Sequence, residues 1–309
     1  MANLTRTQRG FTLIELLVVI AIIGILASLL MPTLAKSKRR ARTAQSINNQ
    51  NQIGKAYRQF VDDNKGWYPR VFGFAGAGGK LGNFVQVVQP GKIANPGSEF
   101  NPFAAARLDA MKQAVQKTPQ LVAAIYGAST PPEQRPLNTY LGNNHKIFHD
   151  PADIGGTAFN LDSCFDAFGS SYQPQVADDM FRVKRLLGEA SEDPNDYSGR
   201  SMHEQEISNP SNKIVQGDWN WPYDQLDTWH ADKGEGRHVM LYADSHVENF
   251  LFPKTELLMK WFTPAFTGRA TGKGDPEIDD AAFRAASPPE YQTISGTPAK
   301  YIDAGFKWW

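Results

Sequence analysis

The chain has 309 residues, enough to bury a sizeable core in one large domain or two small ones. Its 32 Lys and Arg balance 32 Asp and Glu, so no net field exists to recruit nucleic acid, and no nucleic-acid partner is expected. The single cysteine, Cys164, excludes an intrachain disulfide, and 18 Phe, 10 Tyr and 7 Trp among 20 Pro and 26 Gly describe a loop-rich globular body with large apolar anchors.

From Phe11 to Met31 the chain reads FTLIELLVVIAIIGILASLLM, roughly 30 Å of helix, about one hydrocarbon thickness. The expected topology is a single pass near the N-terminus with nearly everything else on one side. An ordinary secretory signal peptide would use Arg6 and Arg9 as its basic end and Thr33-Leu34-Ala35 as its cleavage site. Two features oppose it: the run exceeds the roughly 7 to 15 residues of a signal core, and it contains a carboxylate, Glu15. A charge inside the span costs a few kcal/mol even on lenient insertion scales, about 3 kcal/mol at the centre. Gly10 immediately precedes the run, and cutting after it places a new α-amine on Phe11, a cation able to neutralise Glu15 of the same or a neighbouring chain. Hydration of Glu15 near the interface is the simpler alternative for a generic single-span protein.

The segment Arg9-Gly10-Phe11-Thr12-Leu13-Ile14-Glu15 resembles the cleavage and methylation site of type IV prepilins and type II secretion pseudopilins. That resemblance implies prepilin peptidase cutting between Gly10 and Phe11, N-methylation of Phe11, and Glu15 registering a subunit against its neighbour's N-terminus. Pro32 falls where the family places a helix-kinking proline; it removes a backbone donor and crowds the preceding turn, so a bend or local melting is expected there. One rule disagrees. Arg6 and Arg9 precede the span while Lys36, Lys38, Arg39, Arg40 and Arg42 follow it, and the positive-inside count would put the large body in the cytoplasm. The leader motif overrides that count, because a prepilin leader must face a cytoplasmic-side peptidase. The basic cluster could serve acidic surfaces of neighbouring subunits, anionic headgroups, or merely a solvated helix face.

Beyond the span, Ile53, Ala56, Tyr57, Phe60 and Val61 repeat at helical spacing, so the helix is expected to continue to about Asp62 and to end at Asn64-Lys65-Gly66. The stretch from Ile53 to Pro69 resembles a prepilin class that bears a C-terminal H-X9-DG motif. Between about 70 and 142 an insertion is expected, with loop at Phe72 to Gly82 and helices at Phe103 to Lys117 and Pro119 to Tyr126. In the resembling class a cysteine usually stands where this chain has Asp150, which implies that a cysteine-based link of some relatives is absent. Asn209 to Asp218 reads as a turn followed by a short strand, and His238 to Tyr242 and His246 to Leu251 as a hairpin around Ala243-Asp244-Ser245.

Asp218, Asp224, Asp227, His230, Asp232, Asp244 and His246 give a density of carboxylate and imidazole suited to a divalent cation. The region resembles H-X9-DG, with His230 and Asp244 in the named roles, but thirteen residues separate them and Ser245 stands in place of the turn glycine. Three uses stay open: a structural polar network, a Ca2+ or other divalent site on Asp218, Asp227, His230, Asp244 and His246, or catalysis. No hydrolase elbow, Walker loop, dinucleotide fingerprint or zincin helix is present, so no enzyme is expected. Trp219, Trp221 and Trp229 read first as core or interface anchors.

The expected fold class is α+β: a long N-terminal transmembrane and stalk helix packed on an antiparallel sheet, a pilin-like roll with insertions. The expected division is a leader over 1–10, the helix over 11–62, the body over 63–253, and a C-terminal extension over 254–309 packed on that body. The expected function is a structural subunit of a type IV pilus-like or type II secretion filament, anchored in the inner membrane with an export-side body, or extracellular once assembled. Its expected partners are itself, other pilin-like subunits, prepilin peptidase and an inner-membrane assembly platform. Two alternatives are a membrane-anchored binder of a ligand such as a polysaccharide that never polymerises, and a tethered metal-dependent enzyme.

Overall fold

The computed structural model describes residues 13–88, 113–156, 159, 161–175, 187–189, 201–207, 210–211, 213–219, 229–231 and 237–251. The chain divides into two units, Met1–Ala41 and Arg42–Trp309. The leader and the extension expected over 254–309 lie outside the described residues.

Helix α1 runs from Leu13 to Asp63. Its apolar N-terminal part exposes Leu, Ile, Val and Met side chains from Leu13 to Leu34, and the helix is long and apolar enough to cross a membrane. The melting expected at Pro32 does not occur. The helix is unbroken through that position, because losing one backbone donor leaves the hydrogen bonds on either side of it intact.

In the second unit α1 buries Ser46, Asn49, Gln50, Ile53, Gly54, Ala56, Tyr57 and Val61, one stripe at helical spacing. The apolar half, Ile53 to Val61, is the stripe read from the sequence. Its polar half, Ser46, Asn49 and Gln50, was not foreseen. Helix α1 stops where Lys65 and Gly66 take left-handed conformations, φ 56° and 88°, and the Gly66 amide returns to the Val61 carbonyl at 2.8 Å.

The described strands are β1 (Arg70–Val71), β2 (Tyr172–Pro174), β3 (Gly188–Glu189), β4 (Ile214–Asp218), β5 (Arg237–Tyr242) and β6 (Val247–Leu251). Strands β2, β4, β5 and β6 form an antiparallel sheet in the order β2-β4-β5-β6, and β1 pairs with β3 in parallel. A register shift between Ile214 and Gln216 interrupts the β4–β5 ladder. Ile53, Ala56, Tyr57 and Val61 of α1 share a core with Val215 and Leu241 of the sheet. A long helix laid on an antiparallel sheet is therefore the observed α+β arrangement, as expected.

The insertion contributes α2 (Phe84–Val87), α3 (113–117) and α4 (Pro119–Ile125), and α5 (Cys164–Phe168) follows it. The earlier part of the helix expected from Phe103 lies outside the described residues. These elements close a second core around Phe84, Val122, Phe159, Phe168, Trp219 and Trp229. Phe168 and Trp219 stack with centroids 4.0 Å apart, so Trp219 and Trp229 are core anchors; Trp221 lies outside the described residues.

Arg135 ties the insertion together. Its guanidinium is buried and donates to five main-chain carbonyls: Nε to Thr130 (3.2 Å), Nη1 to Ala75 (2.6 Å) and Gly78 (2.8 Å), Nη2 to Gly127 (2.8 Å) and Phe168 (3.1 Å). Loops without regular ladders need such a donor, because each buried carbonyl left unpaired costs about 1–3 kcal/mol.

Candidate functional site

Two regions carry chemistry: the N-terminal part of α1, and a buried cluster of acids and imidazoles where α1 meets the body. In the first, Glu15 stands in the first turn of α1, surrounded along the chain by exposed Leu13, Ile14, Leu16, Leu17 and Val18. In hydrocarbon a carboxylate favours a nearby cation strongly, because nothing there competes to solvate it. Gly10 and Phe11 lie outside the described residues.

The second region is built from both ends of the chain. Thr43 and Ser46 project from α1, Asp150 follows a 3-10 turn over His145–Phe148, Asp218 closes β4, and His238 sits near the start of β5. Asp150 is the hub. Its Oδ2 accepts from Ser46 Oγ at 2.5 Å and from His230 Nε2 at 3.0 Å, and its Oδ1 accepts from the Ala152 amide at 2.7 Å. The other nitrogen of His230, Nδ1, meets Thr43 Oγ1 at 3.1 Å. Asp218 shares a short hydrogen bond with His238 Nδ1, accepts from the Val239 amide at 3.2 Å, and has Oδ2 3.7 Å from His230 Nε2.

The electrostatics follow from this packing. Burial pulls the His230 imidazole down, but its hydrogen bond to Asp150 and the charges of Asp150 and Asp218 outweigh that and hold its pKa above the ordinary histidine value. Burial, reinforced by the Asp150 charge, pushes the Tyr172 phenol well up, so it stays protonated 3.4 Å from Ser46 Oγ. Beside the cluster, Gln216 donates to Gln50 Oε1 at 2.6 Å, Gln50 donates to the Val239 carbonyl at 3.3 Å, and Tyr57 donates to Gln216 at 3.2 Å. Asn49 adds a bond to the His149 carbonyl at 3.0 Å. Each buried polar group on this face of α1 therefore has a partner on the body, which is the condition for burying it without a net penalty.

Thr43, His230 and Asp150 line up as hydroxyl, imidazole and carboxylate, but the side chains of His230 and Asp150 are fully buried, at 0% exposure. The arrangement is suited to holding α1 against the body and to sharing protons internally.

The set read from the sequence divides. Asp218 and His230 belong to the buried cluster, whereas Asp244 and His246 form their own pair on the exposed β5–β6 turn, with Nδ1 2.5 Å from Asp244 Oδ1. His238 and Tyr242 stand at opposite ends of β5, roughly 13 Å apart at strand rise, which keeps the turn pair away from the cluster. Asp224, Asp227 and Asp232 lie outside the described residues. Among the described residues no three His, Cys, Asp or Glu side chains are grouped so as to hold a metal ion. Sequence reasoning missed Asp150, His238, Thr43 and Ser46. The one available signal was Asp150 itself, an acid where the resembling class usually has a cysteine.

Residues 5–31 match the family described as the prokaryotic N-terminal methylation motif, a stretch that contains Gly10, Phe11 and Glu15. The chain bears a prepilin-type N-terminus. It is similar over 60 residues, at 42% identity, to the type II secretion system core protein G of Escherichia coli (strain K12), covering 19% of this chain and 41% of that protein. It is similar over 62 residues, at 42% identity, to the type IV wide pilus major component of Thermus thermophilus, covering 20% of this chain and 47% of that one. A type IV major pilin protein of Myxococcus xanthus is 36% identical over 70 residues, or 22% of this chain and 32% of the pilin. The chain thus spans less than half the length of each of these relatives. No solved structure matches the chain.

Proposed function

We propose that this protein is a structural subunit of a type IV pilus-like or type II secretion filament. It is inserted as a precursor in the inner membrane, with its body on the export side. Prepilin peptidase cuts between Gly10 and Phe11, Phe11 is N-methylated, and Glu15 registers the subunit against the amine of a neighbouring Phe11. The assembly platform then packs its apolar helix beside other pilin-like helices, and the body is displayed outside. The observation that supports this reading best is the coincidence of a methylation motif over residues 5–31 with an apolar helix whose side chains from Leu13 to Leu34 are exposed. Such a surface is stable in lipid or against other apolar helices and unstable in water.

Mass spectrometry of the protein isolated from membranes tests the processing step. The expected N-terminus is N-methylated Phe11, and a chain beginning at Met1, Ala2 or Lys36 overturns the proposal. Glu15→Ala tests assembly: the variant is expected in the membrane fraction and absent from sheared filaments. Wild-type recovery in filaments would remove Glu15 from its assigned role.

A further inference from the structure

We infer that the basic collar at the end of the membrane span, Lys36, Lys38, Arg39 and Arg40, is a binding site for anionic phospholipid headgroups. From Leu13 to Leu34 the helix rises about 32 Å, one hydrocarbon thickness, so Lys36 emerges at the level of the headgroups of the leaflet beyond the span. Four cations follow within about 6 Å of helix rise, at roughly 0°, 200°, 300° and 40° around the axis. They surround the helix instead of marking one face, which suits lateral contact with several lipids better than docking of one flat partner. Lys36, Lys38 and Arg40 are exposed. With no net charge on the whole chain, the attraction is local to this collar. Long Lys and Arg stems also lie along acyl chains while their heads reach the phosphates. This inference needs the span to enter a bilayer but does not depend on polymerisation.

The test uses the full-length chain reconstituted in vesicles of phosphatidylcholine with a minor share of phosphatidylglycerol, re-extracted in a nonionic detergent, with co-purifying lipid quantified by mass spectrometry. Each headgroup-level cation favours anionic lipid by about fivefold, so phosphatidylglycerol should be enriched at least about tenfold over its bulk share. High salt during extraction should return the ratio toward bulk, and so should the combined variant Lys36→Gln, Lys38→Gln, Arg39→Gln, Arg40→Gln. The charge-conserving pair Arg39→Lys, Arg40→Lys should keep the enrichment. A wild-type ratio equal to bulk overturns the inference, as does an enrichment that survives both salt and the quadruple variant. Loss of copy-to-copy crosslinking in that variant with lipid enrichment unchanged would reassign the collar to contacts between subunits. The salt arm uses the unmodified chain and stands even if the variant folds poorly.

Discussion

Ser46 on α1 donates a 2.5 Å hydrogen bond to Asp150, 104 residues further along the chain, and both side chains are buried. The contact joins α1 to the globular body through a charged acceptor. Hydrogen bonds to charged groups are worth more than neutral ones because an ionised acceptor loses more when it is stranded.

Ser46→Ala should therefore lower the unfolding free energy of the detergent-solubilised chain by about 2 kcal/mol. Asp150→Ala should cost more, about 3–5 kcal/mol, because it also leaves His230 without its main counter-charge. Denaturant titration followed by the near-UV signal of the buried tryptophans measures both. Equal losses for the two variants would show that Asp150 is not the hub.

The pH dependence has a defined sign. The folded-state pKa of His230 lies above its unfolded value, so its charge contributes stability that is fully present below the ordinary histidine pKa of about 6.5 and is lost as pH rises through the folded value. Stability measured from pH 5.5 upward should fall across the window above about 6.5, and His230→Gln should flatten that part of the profile. A His230→Gln profile with the same slope as wild type would place the proton elsewhere.

Arg135 is held by geometry as much as by charge. Burial pushes its pKa down to about 9, still protonated at neutral pH, and its planar fork meets five carbonyls at once. Arg135→Lys offers three donors on a flexible stem, so it should lose at least two of the five hydrogen bonds and cost about 2–4 kcal/mol. Arg135→Met should cost more. Stability comparable to wild type in the lysine variant would mean that charge alone suffices at this position.

Ser245 occupies the β5–β6 turn with φ 69°, a left-handed conformation that penalises any residue with a Cβ. Ser245→Gly should relieve that strain and stabilise the chain by about 0.5–1 kcal/mol, the relief being partly offset by the greater freedom of glycine in the unfolded chain. A shift in thermal midpoint upward by a few degrees is the expected reading. A downward shift would show that the serine side chain contributes more than its backbone costs.

Some of this protein was legible residue by residue. Hydropathy alone places the span, because lipid compatibility is summed over neighbouring side chains and needs no knowledge of the rest of the chain. The Ile53–Val61 stripe and the β5–β6 hairpin were legible for a related reason: an apolar period of 3.6 or 2 declares which face is covered. The polar stripe was not. Ser46, Asn49 and Gln50 continue the apolar stripe toward the N-terminus at the right spacing, but as polar side chains they carry no local sign of burial. They are buried because Asp150, the His149 carbonyl and the Val239 carbonyl receive them.

The same division separates the two candidate regions. Gly10, Phe11 and Glu15 lie within one short stretch of the motif over residues 5–31, which is read from order along the chain, so the sequence by itself determined the prepilin-type N-terminus and the apolar helix behind it. Only the tertiary structure decided that His230 partners Asp150 and Asp218 while Asp244 and His246 stay together on an exposed turn. Which acid meets which imidazole depends on strand order and on where a distant helix lands, and a buried charge persists only where that folding brings its counter-charge within reach.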